Sequence, residues 1–213
     1  MSGPASIVVP IRSLSDGKTR LSPVLDPLAR SALTREMLER VVNAALGTVS
    51  RAAVMVISPD PDALAEVGRI DPSIRLLYQD PMRPGLNPAL EQAAAAVRES
   101  GGSTVLILPA DLPLISSTDI DNLLRRDAPV VIAPDRHGMG TNALMVRLDA
   151  FGEPFVFQFG EGSYGKHHDE AGRLGVDAMT AMAPGTSFDL DTPDDLQELD
   201  AMRATSAAGR AAR

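Results

Sequence analysis

The sequence predicts an α/β fold in which a parallel sheet is covered by helices on both faces. Two observations carry this. Segments with strand character alternate with segments of helical periodicity, and the strand segments are apolar throughout, the pattern of strands buried on both sides. The chain of 213 residues, 44% of them hydrophobic, is long enough for one substantial core. Neither an internal repeat nor a low-complexity linker divides it, so a single domain over 1–213 is expected.

The first element is the buried strand SIVVPI, residues 6–11. Asp26-Pro27 then supplies a helix cap and a favoured first helical residue. The helix it opens carries Leu33, Met37, Val41 and Ala45 four residues apart. That apolar stripe serves either the core or a homodimer, and the core is the expectation. AAVMVIS (52–58) is a second strand, followed by Asp60-Pro61 and a short helix. IRLLYQD (74–80) is a third, followed by a proline-rich loop and a helix from Pro88 to about Val97. STVLILPAD (103–111) is the strongest strand signal in the chain, and a short helix around 119–124 leads to another strand in PVVIAPD. Beyond Gly138 the rhythm changes. TNALMV reads as a strand, EPFVFQFGEGSYG as a loop, 163–171 as a polar helix and VDAMTAM as a strand. Thr192-Pro193-Asp194-Asp195 has the form of a capping box, and the tail over 206–213 is expected to fray.

Composition narrows the function. The net charge of -8 argues against a broad nucleic-acid surface, which needs a basic field, but not against a small anion in a local basic pocket. The chain has no cysteine, which rules out disulfides, thiolate metal sites and a cysteine nucleophile and fits a cytoplasmic location. The apolar run Ile7–Ile11 is too short for a signal peptide or membrane span, and no later segment is long enough, so no membrane partner is expected. With no Trp, two Tyr and five Phe, the core must be aliphatic.

Gly17-Lys18-Thr19 has the ending of a Walker A loop, but the position that motif reserves for its first glycine holds Arg12, and Pro23 interrupts the helix that should follow. What remains is Arg12, Lys18 and Arg20 in a loop at the carboxyl end of the first strand, where open α/β sheets bind ligands. Asp111 emerges from the strongest strand and is either a metal ligand or a turn residue. Asp189 and Asp191, two apart on an extended segment, point to one side and suit Mg²⁺ and phosphate substrates, unless Asp191 serves the following helix. Asn87, before Pro88, reads first as an N-cap and second as an amide for a nucleobase edge, with Gly85 allowing close approach. Farther on stand Thr141, Gly160, Gly162, Ser163, Lys166, His167 and His168. Glycines ahead of a helix leave N–H groups for an anion, and Ser163 can cap that helix or hold a ligand oxygen. The His pair reads as a solvated face; an acid–base role for His167 stays open.

Taken in order, VVPIRSLSDGKTRLSPVL, GLNPAL, LPADLPL, DRHGMGTNAL, FGEGSYGKH and FDLDTPDDL resemble the guanylyltransferases of coenzyme F420 biosynthesis over nearly the whole chain. That family more often has Lys where Arg12 stands and Ala where Gly17 stands; Arg keeps the charge but changes the hydrogen-bond geometry. The resemblance implies a Rossmann-like GT-A nucleotidyltransferase fold with a mostly parallel, mixed central sheet. It implies that Asp111, Asp189 and Asp191 hold Mg²⁺ and that Lys18 and Arg20 face the GTP phosphates, beside Arg12 and Gly85. Asn87 would lie near guanine. Thr141, Gly160 and Ser163, with His167 beside them, would hold a phosphorylated three-carbon acid: 2-phospho-L-lactate, phosphoenolpyruvate or 3-phospho-D-glycerate. A sugar-transferring GT-A enzyme, a sugar-phosphate nucleotidyltransferase or a non-catalytic nucleotide-binding protein are the rival readings.

Overall fold

The computed structural model describes residues 4–15, 17–48 and 52–211, with 206–211 as backbone only. Seven strands form one sheet: β1 (Ala5–Pro10), β2 (Ala53–Ser58), β3 (Arg75–Tyr78), β4 (Thr104–Ile107), β5 (Val130–Pro134), β6 (Thr141–Arg147) and β7 (Ala178–Thr180). Their spatial order is β3-β2-β1-β4-β6-β5-β7. Six α-helices accompany them among the described residues: α1 (Pro27–Leu46), α2 (Pro61–Ile70), α3 (Leu86–Glu99), α4 (Ser117–Leu124), α5 (Ser163–Arg173) and, after the last strand, α6 (Pro193–Ala211).

The continuous apolar strands make two cores because successive side chains leave a strand on opposite faces. Ile7, Val9, Val54 and Val56 face one core, shared with α1, α2 and α4. Val8, Met55 and Ile57 face the other, shared with α3 and with Ala171 of α5. The stripe Leu33, Met37, Val41 and Ala45 is buried within the chain. Its first two residues pack with Phe188, Leu190 and Leu199 of the C-terminal segment.

The sheet is mixed. β1 pairs in parallel with β2 and β4, β2 with β3, and β5 with β7, whereas β6 runs antiparallel between β4 and β5. The reversal follows from the connection: only residues 135–140 separate β5 from β6, too few for a crossover helix. The Asp135 carboxylate holds this turn by accepting the N–H groups of His137, Met139 and Gly140. Reversal brings the first residues of β6 to the edge where β1, β4 and β5 end.

Two helix starts differ from the expectations above. The N-cap of α3 is Gly85 (φ 110°), and Asn87 lies inside the first turn. The N-cap of α5 is Gly162 (φ 65°), without side-chain capping by Ser163. At α6 the capping box is present, with Thr192 Oγ1 accepting from Asp195 N–H and the Asp195 carboxylate accepting from Thr192 N–H. That helix carries the backbone on to Ala211, past Ser206 where fraying is expected.

Candidate active site

The loop after β1 returns to the sheet edge at Lys18, whose backbone is left-handed (φ 55°, ψ 39°). Lys18 is the one non-glycine residue with positive φ among the described residues. Such a conformation costs on the order of 1–3 kcal/mol and persists where the surroundings over-determine it. Here the side chain supplies the determination. Lys18 Nζ donates to Asp111 Oδ2 at 2.7 Å and to Asp191 Oδ1 at 2.8 Å. Burial alone would lower the pKa of this ammonium, but the two carboxylates outweigh it and the net displacement is upward. Arg20, mostly exposed, stands 3.7 Å from the second oxygen of Asp191.

Asp111 follows β4, and its backbone carbonyl accepts the N–H of Leu190 at 3.2 Å. That bond lays the Asp189–Asp191 segment beside Asp111. Leu190 is fully buried, so both carboxylates leave the opposite side of the extended segment. Asp189 accepts from Asn142 Nδ2 at 3.2 Å. Its pKa is raised, first by burial, partly offset by the Asn142 bond, with further repulsion from Asp111 and Asp191. The segment is fixed from behind by Asp195, whose Oδ2 accepts the N–H groups of Asp191 and Thr192 at 2.8 and 2.7 Å. Arg136 in turn pairs with Asp195 and Glu198 and lies over the Phe188 ring at 4.8 Å.

No three Asp, Glu or His side chains among the described residues already form a metal cage. Asp111 and Asp191 are instead spanned by the Lys18 ammonium. The chemistry of the donor set nevertheless fits a hard divalent cation: three carboxylates and no nitrogen or sulfur ligand. Asp189, whose ionised form the fold disfavours and which has no ion pair among the described residues, is the group a cation would relieve most.

The other wall begins at Thr141, next to Asn142. Thr141 Oγ1 lies 3.0 Å from His167 Nδ1. His167 Nε2 accepts the Gln158 N–H at 3.1 Å, which puts the neutral ring's proton on Nδ1, facing Thr141. With the ring donating to its oxygen, the Thr141 hydroxyl keeps its own hydrogen for a ligand. Ser163 sits one turn before His167 on the same face of α5 and is almost fully buried. Gly160 (φ 126°) and Gly162 hold the preceding loop in conformations side chains rarely adopt. Two N–H groups at this helix start are already used: Ser163 donates to Gly160 O, and Tyr164 donates to Met139 O.

The structure corrects two roles. His167 is fully buried and packs against Phe155 and Phe159, with both nitrogens engaged. It is not on a solvated face, and its two ring nitrogens are spent on the Thr141 hydroxyl and the Gln158 backbone. Asn87 neither caps α3 nor offers a free amide: Nδ2 donates to Phe159 O at 3.1 Å, and Oδ1 accepts Phe159 N–H at 2.8 Å. It ties the loop before α5 to the start of α3.

Burial displaces the His167 pKa from 6.5 to about 4. Because the folded value is depressed, the unfolded chain takes up the proton first as pH falls. Native stability should therefore decline from about pH 6.5 toward 4. Urea unfolding at pH 7.5, 6 and 5 should show this decline in the wild type and a shallower one in His167→Gln; equal slopes would contradict the buried neutral ring.

A cleft of about 1030 Å³ runs along the carboxyl edge of β4, β1, β2 and β3. Arg12, Lys18, Arg20, Asp111 and Asp191 line one end, while Asp80, Pro81 and Gly85 line the other. Thr141, Gly160 and Ser163 are not part of this lining; Phe159 is the cleft residue that adjoins them.

A mixed sheet covered on both faces, with a basic first loop opposed to carboxylates from two later segments, has the form of the Rossmann-like nucleotidyltransferases. Solved structures agree on the fold. A protein of Desulfovibrio desulfuricans assigned as a nucleotide-diphospho-sugar transferase superposes with TM-score 0.73 at 19% identity, covering 93% of this chain and 87% of that one. A CMP:2-keto-3-deoxy-manno-octonic acid synthetase solved with CTP gives 0.61 at 17% identity, over 95% and 99% of the two chains. The chain belongs to the family described as guanylyl transferase CofC like, whose model matches residues 5–206. It is similar to the phosphoenolpyruvate guanylyltransferase of Rubrobacter xylanophilus, at 43% identity over 91% of this chain and 92% of the relative. The enzyme of the same name from Sphaerobacter thermophilus is 37% identical, over 90% of each chain. The protein is thus an enzyme of the guanylyltransferase type. No helix among the described residues is long and apolar enough to cross a membrane.

Proposed function

We propose that this enzyme transfers GMP from GTP to the phosphate of phosphoenolpyruvate, releasing diphosphate, as a step of coenzyme F420 biosynthesis in the cytoplasm. The choice of acceptor rests on the names of the relatives. The single observation that best supports the chemistry is the contact of Lys18 with both Asp111 and Asp191, residues 93 and 173 positions away.

An oxygen of the acceptor phosphate attacks the α-phosphorus of GTP. The new P–O bond joins the two phosphates, the bond from the α-phosphorus to the β-phosphate oxygen breaks, and its electron pair leaves with diphosphate. No proton transfer is needed, because the attacking phosphate is already ionised. The barrier is repulsion between anions plus alignment. Lys18 and Arg20 counter the repulsion at the triphosphate, with Arg12 beside them. Asp111, Asp189 and Asp191 would hold Mg²⁺, which supplies further charge neutralisation when bound. Thr141, with its hydroxyl set by His167, and Ser163 orient the acceptor, and Asn87 fixes the loop that carries Gly160.

Incubation with GTP, Mg²⁺ and each of phosphoenolpyruvate, 2-phospho-L-lactate and 3-phospho-D-glycerate tests the reading. Mass spectrometry should find the guanylated acid with one diphosphate per product, fastest with phosphoenolpyruvate. Release of GDP would point to group transfer of the glycosyltransferase kind, and binding of GTP without any product to a non-catalytic role; either result would overturn the proposal.

A further inference from the structure

We propose that Asp80 selects the nucleobase, accepting hydrogen bonds from the ring N–H and the exocyclic amine of guanine. The inference rests on the reading of the cleft as a GTP site and adds the residue that makes it a guanine site.

Asp80 follows β3, three strands away from β4 and Asp111 in the order β3-β2-β1-β4. At about 4.8 Å per strand that is about 14 Å along the sheet edge, the scale on which an extended nucleotide separates its phosphates from its base. Among the described residues, three acidic side chains line the cleft: Asp80, Asp111 and Asp191. Two of them are bound to Lys18. The cations of the described lining, Arg12, Lys18 and Arg20, thus gather at the β1 end, while the described lining of the β3 end holds the Asp80 carboxylate and no cation. That polarity orients a nucleotide with its phosphates toward Lys18 and its base toward Asp80.

Other polar side chains near that end are already committed. Gln79 Nε2 donates to the Arg83 and Gly85 carbonyls at 3.0 and 2.8 Å, holding the loop 80–85. Asn87 is engaged with Phe159. Gln92 accepts the Asp80 N–H at 2.9 Å and donates to Tyr78 O at 2.9 Å. Asp80 itself uses Oδ1 to accept the Met82 N–H at 2.9 Å, which fixes the side chain, while no donor among the described residues is bonded to Oδ2. A carboxylate is an acceptor only. It fits guanine, which presents two adjacent donors, and meets in adenine an unprotonated ring nitrogen. Pro81 and Pro84 offer apolar faces to a ring in the same place.

The test measures kcat/KM for GTP, inosine triphosphate and xanthosine triphosphate with wild type, Asp80→Asn and Asp80→Ala. Asn keeps an oxygen for the Met82 N–H and offers its amide N–H to the 2-oxo group of xanthine. Asp80→Asn should lose about 100-fold with GTP, mainly through KM, and gain at least about tenfold with xanthosine triphosphate, since sites built around a hydrogen bond reject analogues that cannot make it. Asp80→Ala should lower GTP use to the level of inosine triphosphate. If the wild type turns over GTP and both variants keep its preference for GTP over the other two nucleotides, Asp80 does not select the base. If the wild type makes no guanylated product with any acceptor, the functional reading itself has failed.

Discussion

Lys18→Ala is expected to lower kcat/KM by about 100- to 1,000-fold, with at most a modest loss of thermal stability. The magnitude follows from removing a preorganised cation at the point where negative charge must be gathered, since loss of one such group typically costs 10²–10³ in rate. The loss of stability should stay modest because, although the contacts that hold the left-handed loop go, Asp111 and Asp191 remain partly exposed and water can solvate what the ammonium leaves. Lys18→Arg should not restore the rate. A planar guanidinium cannot take the place of a compact ammonium lying 2.7 and 2.8 Å from two carboxylates on separate segments. Steady-state kinetics beside a thermal melt separates these outcomes. A Lys18→Ala enzyme within tenfold of wild type would show that the ammonium serves only to bind the loop down.

The second large effect concerns Asp189. Asp189→Asn should reduce turnover by at least about 1,000-fold while leaving the melting temperature unchanged or raised. The carboxylate is half-buried, and its charged form is disfavoured by burial and by Asp111 and Asp191. Replacing it with a neutral amide of the same shape removes that cost, and the amide oxygen can still accept from Asn142. A carboxylate held at a cost to the fold points to a use in the ligand-bound state. Asp111→Ala should likewise abolish turnover with the fold intact. If Asp189→Asn kept near-native activity at saturating Mg²⁺, the carboxylates would not be acting as a metal site.

Much of the architecture could be read from local patterns. β1, β2, β4 and β5 are apolar runs bounded by turn residues, and Asp26-Pro27, Asp60-Pro61 and Thr192–Asp195 announce their helices. The direction of β6 could not be read from its own residues: TNALMV is buried along its length and has the composition of the parallel strands. The signal lay in the six-residue link before it, whose Asp135 side chain gathers three N–H groups. Within the site, Lys18 and the acidic residues stood out because a basic loop and carboxylates at strand ends are chemically conspicuous. The roles of Asn87 and His167 are invisible locally. The Asn87 partner lies 72 positions away. The helix around His167 is so polar that its buried side, Ser163, His167, Glu170 and Ala171, is easily passed over, although the spacing of three to four residues was there to be counted. Asp80 closes the strand segment IRLLYQD and carries no local signal of its own, and only the cleft gives it a role.

The central claim is that Asp111, Asp189 and Asp191 jointly hold the divalent cation against which the GTP phosphates are placed, with Lys18 facing them. Crystals grown with Mn²⁺ and a GTP analogue carrying a methylene bridge between the α- and β-phosphates would test it by anomalous scattering. The expected map has a manganese peak bonded to oxygens of all three aspartates and to the triphosphate, with Lys18 Nζ on a phosphate oxygen. A nucleotide bound in the cleft with manganese elsewhere, or with none near Asp189, would contradict the account.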